Sequence, residues 1–133
     1  MSKYSRIINE ASEKYNIDPK IIQAVIKQES GGDPKEVSPK GAKGLMQLMD
    51  GTAEMLGVSD SLDVRQNIFG GTKYLASLMK KYDGDIKQSL AAYNSGPGTV
   101  DKYGGIPPFA ETRKYVENIV TDLALLTKST KNR

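Results

Sequence analysis

The chain has 133 residues, the length of one folded domain, with 38% hydrophobic and 26% charged content, ordinary for a chain that builds one core. It has no Cys, no His and no Trp, which excludes disulfides, thiol nucleophiles, thiolate or imidazole metal sites and imidazole bases. The balance of 19 basic against 16 acidic residues leaves a net charge of +3, short of a nucleic-acid footprint, so no nucleic-acid partner is expected.

Any proton chemistry must therefore rest on carboxylates, Lys or Tyr. No stretch approaches the ~20 apolar residues of a membrane span, so no transmembrane segment is predicted. The polar start of the chain lacks the apolar stretch of an export signal, as expected for a soluble product or a domain cut from a longer protein.

From Tyr4 to Tyr15 the residues Tyr4, Ile7, Ile8, Ala11 and Tyr15 recur at three- and four-residue spacing, which predicts a first amphipathic helix. Asp18-Pro19 then reads as an N-cap followed by Pro at the first helical position, and Ile21, Ile22, Val25 and Ile26 give the buried face of a second helix that Gly31-Gly32 stops. Residues 33–44 mix Pro, Gly and charge and predict an irregular loop or short hairpin. A short helix follows over Thr52 to Leu56, ended by Gly57.

Asp63 to Tyr82 carries Val64, Ile68, Leu75, Leu78, Met79 and Tyr82 on one helical face. Gly70-Gly71 sits inside it despite costing about 1 kcal/mol each relative to Ala, which predicts close packing against a neighbour. Gly84 closes that helix and Asp85 caps the next, which runs to Tyr93-Asn94 before the breaker run Ser95-Gly96-Pro97-Gly98. A second Gly/Pro loop covers Lys102 to Pro108, and from Phe109 a long helix carries Val116, Ile119, Val120, Leu123 and Leu126, with residues 127–133 a basic polar tail. No period-2 alternation of useful length occurs, so the expected fold class is mainly α, a single domain of about six helices with Gly-rich connecting loops.

One residue breaks the pattern of the second helix. Glu29 continues the stripe of Ile22, Val25 and Ile26, so a carboxylate stands where a core residue should be. Two placements are open. Turned inward, it is partly desolvated at a helix C-terminus, and both effects raise a carboxyl pKa toward that of a general acid; turned outward, it is a solvated helix-end charge. Gln47, inside the run Gly44 to Met49, and Tyr93-Asn94, after Ala91-Ala92, likewise put hydrogen-bonding groups into apolar or Gly-flanked surroundings.

The order of segments is more specific than any one residue. Gln28-Glu29-Ser30-Gly31-Gly32 is followed by Ser38-Pro39-Lys40-Gly41-Ala42-Lys43-Gly44-Leu45-Met46-Gln47, Asn67-Ile68, Ala92-Tyr93-Asn94-Ser95-Gly96-Pro97 and Glu111-Thr112-Arg113-Lys114-Tyr115-Val116. This succession, from about Tyr4 to Leu126, resembles the soluble lytic transglycosylase family, whose catalytic domain is similar to goose-type lysozyme.

The resemblance implies a lysozyme-like fold, a peptidoglycan glycan strand as partner and substrate, and no cofactor or metal. It implies that Glu29 is the sole catalytic acid and base, that Ser30 hydrogen-bonds near the reacting sugar, and that Met46 and Gln47 line the sugar groove. Tyr93 and Asn94 are implied as an aromatic platform and an amide near the acetamido group, and Tyr115 as the hydroxyl that orients the catalytic carboxyl. Gly31 and Gly44 are expected to shape the backbone. An extracytoplasmic location follows from the substrate, and the chain is compatible with being part of a larger protein or envelope machine.

The departure from the family pattern is Asp50-Gly51, which reads as a turn and adds a carboxylate after the Gln47 segment. It keeps a hydrolytic, goose-type-like lysozyme open as an alternative. A non-catalytic glycan-binding or structural module of a secretion, conjugation or phage-tail machine is the other.

Overall fold

A computed structural model describes the backbone of residues 2–131 and the side chains of 3–127. Among the described residues there are seven α-helices: α1 (Ser5–Tyr15), α2 (Pro19–Ser30), α3 (Asp50–Leu56), α4 (Val64–Lys81), α5 (Ile86–Ser95), α6 (Pro97–Tyr103) and α7 (Ala110–Lys131). The only β-type pairing among them is isolated bridges. The mainly α expectation holds. The chain divides into two compact units, Met1–Tyr74 and Leu75–Arg133.

In the first unit α1 buries Ile8 and Ala11, and α2 packs on it. The Asp18 carboxylate accepts the Lys20 N–H at 2.9 Å and Pro19 occupies the first turn, the cap read from the sequence. Ile22, Ala24, Val25 and Ile26 are buried, and each large aliphatic side chain so buried contributes about 1.5–3 kcal/mol. Gly31 ends α2 at φ 63°, where a side chain would be strained, and its N–H bonds to the Lys27 carbonyl at 3.0 Å.

Residues 31–49 have no regular element. Antiparallel bridges link Val37 to Lys43 and Lys43 to Leu48, so the loop or short hairpin expected there is a chain of turns drawn together at Lys43. The expected Asp50-Gly51 turn is instead the first turn of α3, which begins two residues before the predicted Thr52. Met49 is extended at ψ 149° and takes the turn's place as the N-cap. An acidic residue in a first helical turn is favoured by the helix dipole, which outweighs the turn preference of Asp-Gly.

The paired glycines of α4 meet their neighbours as predicted. A Cβ on Gly70 would lie 2.5 Å from Val58 Cγ2, and one on Gly71 would lie 2.6–2.9 Å from the Met46 side chain. The packing against these two backbones offsets their poor helix propensity.

In the second unit α5 packs against α6 and α7. Asp85 caps α5 by accepting the Gln88 N–H at 3.1 Å, and Ser89 to Ala92 are buried. Helix α6 is an element beyond the six expected. Ser95-Gly96-Pro97-Gly98 reads as a breaker, but Gly96 at φ 92° turns the chain and Pro97, pre-set at the first helical position, starts a new helix that buries Val100. Tyr82 Oη donates to Asp101 Oδ1 at 3.1 Å and Lys81 Nζ lies 3.0 Å from Asp101 Oδ2, which ties α6 to the end of α4. Along α7 the residues Thr112, Tyr115, Val116 and Ile119 are buried at helical spacing, and the helix continues into the segment read as a polar tail. No helix of the described residues is long and apolar enough to cross a membrane.

Candidate active site

The first unit holds Glu29, Ser30, Met46 and Gln47. Glu29 is half-buried in the last turn of α2, between the two extremes its spacing left open. Ser30 shows how that helix end is held. Its hydroxyl lies 2.8 Å from the Leu45 carbonyl and 3.1 Å from the Ile26 carbonyl, sharing one proton between them, and accepts the Gly32 N–H at 3.2 Å. The Ser30 hydroxyl, expected near the sugar, is thus directed at backbone, and it fastens the turn after Glu29 to the Gly44–Leu48 segment.

That segment is organised from its other side by Asn67, which is 1% exposed. Its Oδ1 accepts the Met46 N–H at 2.7 Å, and its Nδ2 donates to the Lys43 carbonyl at 2.9 Å and the Ser61 carbonyl at 2.8 Å. Gly44, at φ 82°, approaches so closely that a Cβ would collide with the Asn67 amide and the Ser61 carbonyl. The expectation that Gly44 shapes the backbone is given a cause by this contact.

Two residues of the segment differ in what they present. Gln47 adopts φ 51°, a left-handed conformation uncommon outside glycine, and its Nε2 donates to the Gly44 carbonyl at 2.8 Å and the Glu36 carbonyl at 3.0 Å. With both amide hydrogens engaged, the atom it offers a ligand is the acceptor Oε1. Met46 departs from the expected groove lining. Its side chain is 0% exposed and packs against Gly71, with Thr72 Oγ1 3.9 Å from its sulfur. Met46 therefore belongs to the core; Met49, 45% exposed three residues on, is the methionine of this segment that meets solvent.

Asp50, the carboxylate raised as a second acid, has its Oδ1 3.0 Å from Lys43 Nζ and a side chain 76% exposed. It borders a cavity of about 290 Å³ lined also by Glu54, Val58, Asp60 and Leu62. An exposed, ion-paired carboxylate lacks the desolvated surroundings of a catalytic acid.

In the second unit Tyr93 and Asn94 stand half-exposed in the last turn of α5. Asn94 Oδ1 accepts a hydrogen bond from Thr112 Oγ1 at 2.8 Å. Tyr115, one turn further along α7, is 4% exposed. Asn94 and Tyr115 were expected site residues, whereas Thr112, and Asn67 in the first unit, had no expected role. Asn67 and Thr112 do fall inside the motif segments, which is the signal the sequence held for them.

Residues 6–116 match the family model described as the transglycosylase SLT domain. The chain is 39% identical over 119 residues to a transglycosylase of Enterobacteria phage PRD1, covering 90% of this chain and 42% of that protein. It is 41% identical over 104 residues to membrane-bound lytic murein transglycosylase F 1 of Alkalilimnicola ehrlichii, covering 74% of this chain and 21% of that one. Among solved structures, the 70 kDa soluble lytic transglycosylase from Escherichia coli superposes with a TM-score of 0.82 at 33% identity, over 91% of this chain and 23% of that one. The same kind of enzyme in complex with bulgecin A gives a TM-score of 0.86 at 31% identity, over 96% of this chain and 24% of that one. The chain thus spans less than half the length of each of these proteins.

Proposed function

The chain belongs to the transglycosylase SLT domain family, and from that membership we propose that it is a peptidoglycan lytic transglycosylase. It cuts the β-1,4 bond between N-acetylmuramic acid and N-acetylglucosamine without consuming water. Glu29 protonates the glycosidic oxygen as the bond to C1 breaks through an oxocarbenium-like transition state. The resulting carboxylate then takes the proton of the muramic acid 6-hydroxyl as that oxygen attacks C1, which leaves a 1,6-anhydro end and returns Glu29 to its acid form. A relative carries the words lytic murein transglycosylase in its name, which supports this substrate class.

The observation that carries the reading is the half-buried Glu29 in the last turn of α2, beside the Ser30 hydroxyl bound to the Leu45 carbonyl. A half-buried carboxyl on a helix end is partly desolvated, and the Ser30 bond holds the turn that carries it, as one group serving as acid and base in turn requires. A hydrolase with two carboxyl groups would need a partner ~5–9.5 Å from the first. Asp50, ion-paired to Lys43, is poorly suited to be that partner. Tyr93 serves as an aromatic platform, Gln47 Oε1 as an acceptor and Asn94 as an amide for the glycan, and Tyr115 supplies the further hydroxyl that its motif implies. The place of action is outside the cytoplasmic membrane, where peptidoglycan lies.

The test is mass spectrometry of purified peptidoglycan digested with the wild type and Glu29→Gln. The wild type is expected to release fragments ending in 1,6-anhydromuramic acid, and the variant to lose about 10²–10⁴-fold in rate. Reducing muramic acid ends would make the protein a hydrolase. Glycan binding without any release by the wild type would make it a non-catalytic module.

A further inference from the structure

In the first unit, one stripe of α4 borders a small cavity at the end of α1. Gln66, Phe69, Gly70 and Lys73, spaced at three and four residues, share a side of the helix, and Tyr15 of α1 and Val58 also line the space. The cavity, about 160 Å³, is smaller than the ~300–1,000 Å³ of a site that takes a whole ligand, so it suits the end of one. Its chemistry is one-sided. Gln66 Oε1 accepts the Ser59 N–H at 2.9 Å and the Asp60 N–H at 3.2 Å. A backbone N–H only donates, so turning this amide over would set donors against donors, and its NH2 group is directed away from the Ser59–Asp60 turn. That NH2 and the Lys73 ammonium have no acceptor among the described residues, and none of the lining residues is acidic. Lys14 Nζ adds positive charge 5.6 Å from the Tyr15 ring centroid and 5.9 Å from that of Phe69. Arg65, 4.6 Å from the Phe69 centroid, is already paired with Glu10 at 2.7 Å.

We propose that this cavity is a second binding site of the protein, apart from Glu29, for a free carboxylate carried on a short alkyl group, the chemistry of the alanine end of a peptide. The carboxylate accepts from the Gln66 NH2 and the Lys73 ammonium, and the alkyl group lies on the edge-to-face pair of Tyr15 and Phe69, whose centroids are 6.3 Å apart. A neutral amide end brings donors of its own toward these donors and lacks the charge that Lys73 and Lys14 attract. Tyr15 ends α1 just before α2 begins, whereas Glu29 stands at the far end of α2, about 15 Å along that helix. An occupied cavity therefore leaves the catalytic carboxyl open. The carboxylate has two sources, a free peptide or the peptides carried by peptidoglycan, and only the second rests on the glycan-cleaving reading above.

The experiment titrates isotope-labelled wild type, Gln66→Glu and Lys73→Met with N-acetyl-alanine and with its neutral amide, N-acetyl-alaninamide. NMR follows the Gln66 NH2 and the Gly57 and Gly70 backbone signals, and the melting temperature of each protein is measured. The wild type is expected to show saturable shifts with the acid and binding at least about 10-fold weaker with the amide. Gln66→Glu keeps the oxygen that accepts from Ser59 and Asp60 but faces the cavity with an anion, so it should weaken binding of the acid at least about 10-fold at an unchanged melting temperature. Lys73→Met leaves that turn untouched and should weaken it similarly, even where the Glu variant fails to fold. Undiminished binding of the acid by both variants, or equal binding of acid and amide, would overturn the inference. Co-sedimentation with peptidoglycan, intact or stripped of its peptides by an amidase, then names the source. A loss on stripping that matches the loss in Gln66→Glu identifies the wall peptides, and sedimentation insensitive to both identifies free peptide. A wild type that binds the acid but releases no glycan fragment overturns the transglycosylase reading alone; one that releases fragments but binds no acid overturns this inference alone.

Discussion

The Gly44–Leu48 segment and the end of α5 both present an amide, and they hold it by opposite means. In the first unit, side chains bind backbone: Ser30 takes the Leu45 carbonyl, and Asn67 takes the Met46 N–H and the Lys43 and Ser61 carbonyls. Gln47 spends its own amide hydrogens on backbone carbonyls and is left with an acceptor. In the second unit the backbone is already fixed by helix, and one side chain binds another, Thr112 to Asn94. A segment without regular structure needs its main chain satisfied before it has a shape at all. A helix end has its shape, so a single side-chain bond is enough to hold an amide in place.

This contrast makes stability and function fall together in one region and separate in the other. The largest effect is expected for Asn67→Ala, which orphans the buried Met46 N–H, takes the side-chain donor from the Ser61 carbonyl and leaves the Lys43 carbonyl with the Leu48 N–H alone. A loss of about 3 kcal/mol, or about 10 °C in melting temperature, should accompany the loss of turnover. Unchanged thermal unfolding with turnover lost would break the comparison, because Asn67 would then act on the substrate and not on the segment. Ser30→Ala should cost about 1 kcal/mol and several-fold in rate. Turnover abolished at an unaltered melting temperature would return Ser30 to the sugar-contacting role its motif implies.

The smallest effect concerns the N-cap of α5. The Gln88 side chain and N–H hold the Asp85 carboxyl below its ordinary value, so its contribution is present above the unfolded carboxylate pKa and is lost as pH falls toward the folded one. Asp85→Ala should cost about 1 kcal/mol at pH 7 in urea unfolding, mostly from the cap itself because the group is exposed to solvent. The wild type and the variant should converge as the pH drops below about 4.

Helices α1, α2, α4, α5 and α7 were legible because each carries a 3.6-residue apolar stripe, and Gly31 and Gly84 mark where α2 and α4 stop. Helix α6 was hidden because Gly96-Pro97 signals a break and a start with the same two residues. In the turn segment no period exists, so nothing local separates buried Met46 from exposed Met49. Likewise, the Ser30 hydroxyl is adjacent to Glu29 in sequence, yet its partner Leu45 is set by tertiary packing. Asn67 and Thr112 act on residues 21 and 18 positions away, a distance across which single-sequence patterns carry no pairing information.

Four glycines lie inside helices of this chain without a positive φ: Gly51, Gly70, Gly71 and Gly98. On a propensity scale they are one defect repeated four times. Their surroundings divide them, since a methyl group on Gly51 or Gly98 would meet open space, whereas one on Gly70 or Gly71 would meet Val58 or Met46. The second pair are negative impressions: the missing methyl on Gly71 is a mould for the Met46 side chain, and Met46 precedes Gln47. The smallest residue in the helix thus records, on its surface, where the neighbouring amide has to be.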